Sequence, residues 1–221
     1  MNTPRLNWSH QKELFNPLSA KPVTLLGAGS VGSFLALLLA RQGIEDLTVY
    51  DADDVASHNV PMSAYRHTDI GRLKVVALAN IVHESTGLSI KMAPRMYTGE
   101  PLRGTIIASV DTMDARTAVW KAVRMNPNVD ILVDTRVYER FAEVYFIQPC
   151  LPEDIAAYEM RLYPQDTTAK RTCGNHGIAF MASMVAGLAV AGLTDAWAGD
   201  TNGIAKRLFL GNPPRFEVIQ P

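Results

Sequence analysis

Apolar residues along this chain fall into short continuous runs that alternate with stretches of helical periodicity. Val23-Thr-Leu-Leu26 and Leu47-Thr-Val-Tyr50 are such runs, and between them Ser33 to Arg41 carries an apolar helical pattern. Continuous runs suit strands buried on both faces of a parallel sheet. The spacing of Val75, Val76, Leu78, Ala79 and Val82 predicts a second helix from Asp69 or Gly71 to Glu84. A short strand follows at Ser89 to Met92, then a buried strand from Thr105 to Val110, ending at Asp111. Met113 to Arg124 reads as a helix, Ile131 to Asp134 as a strand, and Ala142 to Gln148 alternates as an edge or antiparallel strand would. Pro149 to Asp166, bounded by prolines, reads as irregular, and Gly177 to Leu193 as one long apolar helix. Leu208 to Ile219 holds short extended runs broken by Gly211-Asn-Pro-Pro214, and the polar start predicts a helix or arm around Ser9 to Leu14. The alternation predicts an α/β fold: a Rossmann-like, doubly wound, mostly parallel sheet with a C-terminal antiparallel extension. The expected organisation is one domain over 1–221, with 1–20 as its N-terminal arm.

Composition narrows the class. A chain of 221 residues, 48% hydrophobic, can bury a full single-domain core. Formal net charge is −1 and the basic residues are scattered, so no patch recommends nucleic acid or an anionic membrane as partner. Cys150 and Cys173 are too few for a disulfide framework or a four-cysteine zinc site. The stretch Ile178 to Leu193 approaches the length of a membrane span, but its Ala, Gly and Ser content suits a helix buried against a sheet. The N-terminus has no apolar signal core, and the expectation is a cytoplasmic protein with no membrane partner.

The chemistry begins at Gly27-Ala28-Gly29-Ser30-Val31-Gly32, between the first strand and its helix. Gly27 permits the turn, Gly29 lets a phosphate reach backbone N–H groups, and Gly32 lets the helix pack on the strand. The second strand ends at Asp51, placed to accept hydrogen bonds from a ribose. These features alone would suit an NAD-dependent oxidoreductase. Asp53 and Asn59 beyond that strand, Lys74, and Asp111 at a later strand end, with Arg116 nearby, fit a triphosphate with Mg2+ better. Asp111 would hold the metal, while Lys74 and the glycine-turn N–H groups neutralise phosphate charge. The plainer alternatives are Asp111 and Asp134 as strand-end caps and Lys74 as a solvated surface lysine. Cys173 lies beside Lys170 and Arg171 before a helix, which favours a thiolate; otherwise it is a small buried hydrophobe, and His176 caps that helix.

Taken together, GAGSVGS (27–33), DADDVASHNV (51–60), DIGRLK (69–74), SVDTMDAR (109–116) and TCGNHG (172–177) resemble the ThiF/MoeB/HesA family, the adenylating fold of ubiquitin-activating enzymes. The likeness runs in order from about Ser9 to the last helix. It implies a homodimer that binds ATP and Mg2+ and adenylates the C-terminal carboxylate of a ubiquitin-like or sulfur-carrier protein or peptide ending in Gly-Gly. By the same resemblance Asp51 is the ribose ligand, Asn59 a phosphate-side contact, Lys74 the phosphate-binding lysine and Asp111 the Mg2+-associated aspartate. Cys173 falls where some relatives capture the acyl group.

The sequence also departs from that pattern. Met62 and Ser63 stand where relatives carry arginine and glutamine, and Arg66 is the candidate to replace the arginine. His10-Gln11 stands where relatives have Arg-Gln in the N-terminal arm, and the paired CxxC motifs of several relatives are absent. These losses leave a nucleotide-binding, non-catalytic scaffold as a further reading.

Overall fold

A computed structural model describes residues 6–138, 141–163, 179–199, 205–209 and 215–219. Eight strands form one sheet in the order β3-β2-β1-β4-β5-β6-β7-β8. They are β1 (Val23–Leu26), β2 (Leu47–Tyr50), β3 (Lys91–Ala93), β4 (Gly104–Ala108), β5 (Val129–Tyr138), β6 (Phe141–Ile147), β7 (Ala205–Phe209) and β8 (Arg215–Ile219). The β3-β2-β1-β4-β5 half is parallel and β5 through β8 pair antiparallel, as the doubly wound sheet with an antiparallel extension predicted. β6 is antiparallel but not an edge, because β7 covers its far side.

Among the described residues, five helices flank the sheet: α1 (Ser30–Arg41), α2 (Lys74–Thr86), α3 (Met113–Val123), α4 (Pro152–Glu159) and α5 (Ala179–Trp197). The sheet divides the core in two. One half joins β1, β2 and the inner positions of β5 and β6 to α1, α2 and α5; the other joins β4 and Leu132 to α3 and α4. α5 is apolar enough and long enough to cross a membrane by composition alone. Its apolarity is accounted for by packing on α1, β5 and β6, where Gly192 lies against the Phe146 ring.

Several elements differ from the sequence expectation. β5 runs from Val129 to Tyr138 rather than Ile131 to Asp134, and β3 and β4 shift by one or two residues at their ends. Three further differences have a local cause. α2 starts at Lys74 rather than Asp69 or Gly71, because a 3-10 turn at His67–Asp69 and Gly71 at φ +83° break the helical path first. Among the described residues of the arm, two single 3-10 turns form, Ser9–Gln11 and Pro17–Ser19. The stretch read as irregular contains α4: Pro152 sits at its first turn with Glu153 and Asp154, a composition that favours a helix start. The arm is fastened at the far end of α1, where the Trp8 indole N–H donates to the Arg41 carbonyl and the Gln11 amide to the Gln42 carbonyl.

β1 is the topological switch point, since the chain crosses to β2 on one side and β4 lies on the other. Registers Leu26↔Tyr50 and Leu26↔Ala108 bring three strand ends level. The N–H groups of Gly27 and Ser109 close this edge by donating to the carbonyls of Tyr50 and Leu26.

Candidate functional site

A cavity of about 460 Å³ opens at this edge. Gly27, Gly29, Asp51, Asp53, Asn59, Lys74 and Asp111, all singled out in the sequence, line it together. Each glycine has its own geometric reason. Gly27 sits at φ +96°, and a Cβ there would lie 2.4 Å from the Ser109 carbonyl oxygen. A Cβ on Gly32 would lie 2.1 Å from the Gly27 carbonyl oxygen, so this residue packs the helix on the turn and does not line the cavity. Gly29 caps α1 with nothing within 4 Å of its would-be Cβ, leaving its backbone open to a ligand.

Two helix N-termini meet the cavity. α1 contributes Ser30 and Val31, and α3 contributes Ala115 and Arg116. The Thr112 hydroxyl caps α3 by accepting the Ala115 N–H at 3.2 Å. The open N–H groups at the start of α1 and the helix dipole at both ends favour an anion, while the Ala115 and Arg116 N–H groups of α3 are taken by Thr112.

Asp51 is tied to the glycine turn. Its Oδ2 accepts the Ala28 N–H at 2.8 Å and its Oδ1 the Asp53 N–H at 2.9 Å. The Tyr65 hydroxyl holds the other side of the same residue, donating to the Ala28 carbonyl at 2.7 Å. Burial, reinforced by Asp51, Asp69 and Asp53, pushes the Tyr65 hydroxyl well above the usual phenol range, so it remains a donor. Lys74 reaches the cavity because the 53–55 segment is laced to the residues before α2. The Lys74 and Val55 N–H groups donate to the carbonyls of Asp53 and Arg72. Lys74 Nζ then lies 2.7 Å from Asp53 Oδ2 and 3.6 Å from Asp51 Oδ1. It is therefore a buried, paired lysine at the site rather than a solvated one.

Asn59 accepts the Ala56 N–H at 2.8 Å through Oδ1, bracing its 3-10 turn while lining the cavity. Asp111 is exposed and lines the cavity. Arg66, expected to replace a missing arginine, does not line the cavity: its guanidinium is spent on Asp69 and Glu84. Met62 does line it. His10 is exposed outside the cavity. Cys173 and His176 lie outside the described residues.

Sequence reasoning missed several neighbours. His58 and the pair Met96 and Tyr97 line the cavity, the Tyr97 ring set edge-on to Tyr50 at 6.0 Å. Asp134 is a buried hub rather than a simple strand-end cap. It binds Arg116, takes Arg136 Nε at 2.8 Å, and accepts the Tyr158 hydroxyl at 3.0 Å. Two opposite charges two positions apart, Asp134 and Arg136, placing both on one face of a strand, were the available signal.

Cap2 of Vibrio cholerae serotype O1, an ATP-dependent ubiquitin transferase-like protein, is 31% identical over 100 residues, which is 42% of this chain and 17% of Cap2. The maize (Zea mays) adenylyltransferase and sulfurtransferase MOCS3-1 is 33% identical over 92 residues, 41% of this chain and 19% of that protein. The chain thus matches less than a fifth of the length of these relatives. Among solved structures, E. coli MccB superposes with a TM-score of 0.73 at 12% identity, covering 100% of this chain and 71% of MccB. PaaA superposes with a TM-score of 0.72 at 17% identity, covering 92% and 65%. At these identities the two structures establish the fold. The ThiF family model matches residues 7–220, nearly the whole chain, and this protein belongs to the ThiF family.

Proposed function

We propose that this chain binds ATP in the cavity at the switch point and adenylates the C-terminal carboxylate of a ubiquitin-like or sulfur-carrier protein or a peptide. One observation carries the reading: a glycine turn, two helix N-termini, Lys74 and Asp111 converge on a single cavity. The names of the relatives support it, and MccB has been crystallised with ATP and with AMPCPP and MccA. On the same reading the carrier ends in Gly-Gly and the enzyme works as a homodimer.

The chemistry asks little of the protein beyond placement. A carboxylate oxygen attacks the α-phosphorus, that O–P bond forms, and the bond to pyrophosphate breaks. The attacking group is already ionised, so no general base is required. What matters is in-line positioning and neutralisation of phosphate charge. The Gly29–Val31 backbone and Lys74 would hold the phosphates. Asp111 would hold Mg2+ jointly with those phosphates, and the ion would supply charge neutralisation there. Among the described residues no cluster of three or more His, Cys, Asp or Glu forms a metal cage, which fits a cation held by one carboxylate and its nucleotide. Cys173 would take the acyl group as a thioester, releasing AMP.

ATP–pyrophosphate exchange with a panel of Gly-Gly-ending carriers and peptides tests this. Exchange should appear with one of them and fall at least about a hundredfold in Asp111→Ala, the scale of losing one preorganised electrostatic group. Cys173→Ala should keep exchange and lose any covalent adduct. Silence across the panel, with NAD rather than ATP raising the melting temperature, overturns the reading in favour of an oxidoreductase. The second reading, a nucleotide-binding scaffold, is favoured by Met62 on the cavity wall and by Arg66 turned away from it. ATP binding without exchange would select it.

A further inference from the structure

We propose that His58 is a phosphate-facing residue of this cavity, whose protonated imidazole supplies a positive charge not already paired with a protein carboxylate and makes triphosphate binding pH dependent. The proposal rests on the ATP reading above. Its ground is the distribution of charge around the cavity. Lys74 and Arg116 are the cations that line it. Both are already engaged: Lys74 by Asp53 and Asp51, Arg116 by Asp134 and the Val110 carbonyl. Asp111 adds a further carboxylate to the wall. A triphosphate entering this ring meets open N–H groups but, among the described residues, no uncommitted cation.

His58 is the group able to change that. It lies in the 3-10 turn Ser57–Met62, is exposed, lines the cavity beside Asn59, and makes no hydrogen bond or ion pair among the described residues. Met62 on the same turn brings no charge. Imidazole is the side chain whose ordinary titration falls between pH 5 and 8. The ionisable groups sharing the cavity are Asp51 and Asp53 after β2, Lys74 of α2, Asp111 after β4, Arg116 of α3, and the phenols of Tyr50 and Tyr97. α5, which packs on the 57–62 turn, carries Asp195 in its last turn as its ionisable side chain. A bound phosphate favours imidazolium. Protonation is therefore tighter in the complex than in the free protein. Binding is strongest below the free imidazole's titration and weakens as pH rises through that of the bound form.

Titration calorimetry of the full chain with ATP at pH 6 and pH 8, at fixed Mg2+, tests this in wild type, His58→Gln and His58→Arg. The nucleotide's own titration is common to all three and cancels in the comparison. Wild type should lose about five- to tenfold more affinity between the two pH values than His58→Gln does. His58→Arg should bind tightly at both, with no excess slope, and adenosine should bind all three alike. His58→Gln with wild-type affinity at pH 6 and the wild-type slope overturns the proposal while leaving ATP binding intact. Wild type that binds no ATP at either pH overturns the ATP reading itself, and this one with it. Matching melting temperatures for the three proteins verify that affinity, not folding, is being read.

Discussion

Tyr65 and Arg66 are adjacent in sequence and serve opposite sides of their loop. Tyr65 points inward to brace the glycine turn, while Arg66 points outward to an ion pair. Burial pushes the fully buried Asp69 carboxyl up, but hydrogen bonds from the Arg66 side chain and N–H outweigh it and hold it below the usual range. A lowered carboxyl pKa means stability that is present above the unfolded value and lost as pH falls through the folded one. Arg66→Ala should therefore cost about 1–2 kcal/mol at pH 7, since the bond is charge-assisted but Arg66 is 41% exposed. The difference should shrink below about pH 4, as Asp69 protonates in both proteins. ATP affinity should change less than about twofold; a larger loss would restore Arg66 to the phosphate site. Denaturant melts across pH and calorimetry read the two effects separately. At this scale the sequence was informative where a residue's role depends on its distance along the chain from the glycine turn. Asp51 and Lys74 meet that condition. Tyr65 and Arg66 do not, because which of two neighbours turns inward is decided by packing across the loop.

The glycine turn divides its labour among positions, and substitution should separate them. Gly29 has a backbone at φ −72° that any residue adopts, and its would-be Cβ meets open space. Gly29→Ala should fold with an unchanged melting temperature and lose about tenfold or more in nucleotide affinity, because the methyl occupies the approach to the N–H groups. Gly32→Ala should do the reverse. Its methyl would press on the Gly27 carbonyl, backbone that cannot swing aside, at a cost of about 1–3 kcal/mol in overpacking. Thermal melts with nucleotide titration distinguish the pair, and equal behaviour of the two variants would defeat the assignment. Elements set by local pattern were readable in this way. β1, β2 and β4 are continuous apolar runs, and the strand–turn–helix order fixed where Gly27 to Gly32 must lie. α4 was not read, because prolines on either side suggested breakage when Pro152 in fact starts a helix whose Ile155 and Tyr158 seal the second core. The antiparallel end of the sheet was foreseen in kind, but not the covering of β6 by β7, which depends on a pairing some sixty residues away in sequence.

Across the whole molecule, the two faces of the sheet are held by different means. The α1–α2–α5 side packs mainly apolar side chains, with hydrogen bonds between neutral groups such as Trp197 and Thr105 or Gln42 and Thr194, whereas the α3–α4 side is pinned by ions beneath the cavity. Asp134 of β5 binds Arg116 of α3, Arg136 of its own strand and the Tyr158 hydroxyl of α4. Arg136 also lies over the Tyr145 and Tyr158 rings, at 4.8 and 5.8 Å from their centroids, and donates to the Arg161 carbonyl at 2.9 Å. One carboxylate thus compensates two buried guanidiniums, and three elements depend on it. Its removal leaves both cations without that counter-ion in a desolvated place, an arrangement that costs about 3–5 kcal/mol when a buried pair is broken. Asp134→Ala should therefore be the most destabilising of the substitutions considered, lowering the melting temperature by about 10 °C or more in a chain of this size. Arg116 is the member of the network that also lines the cavity. Freed from Asp134, it would carry its charge toward the ligand. Saturating ATP should then recover more stability in Asp134→Ala than in wild type, measured as the ligand-induced shift in melting temperature. An equal shift in the two proteins would mean that the network holds the fold without bearing on the site.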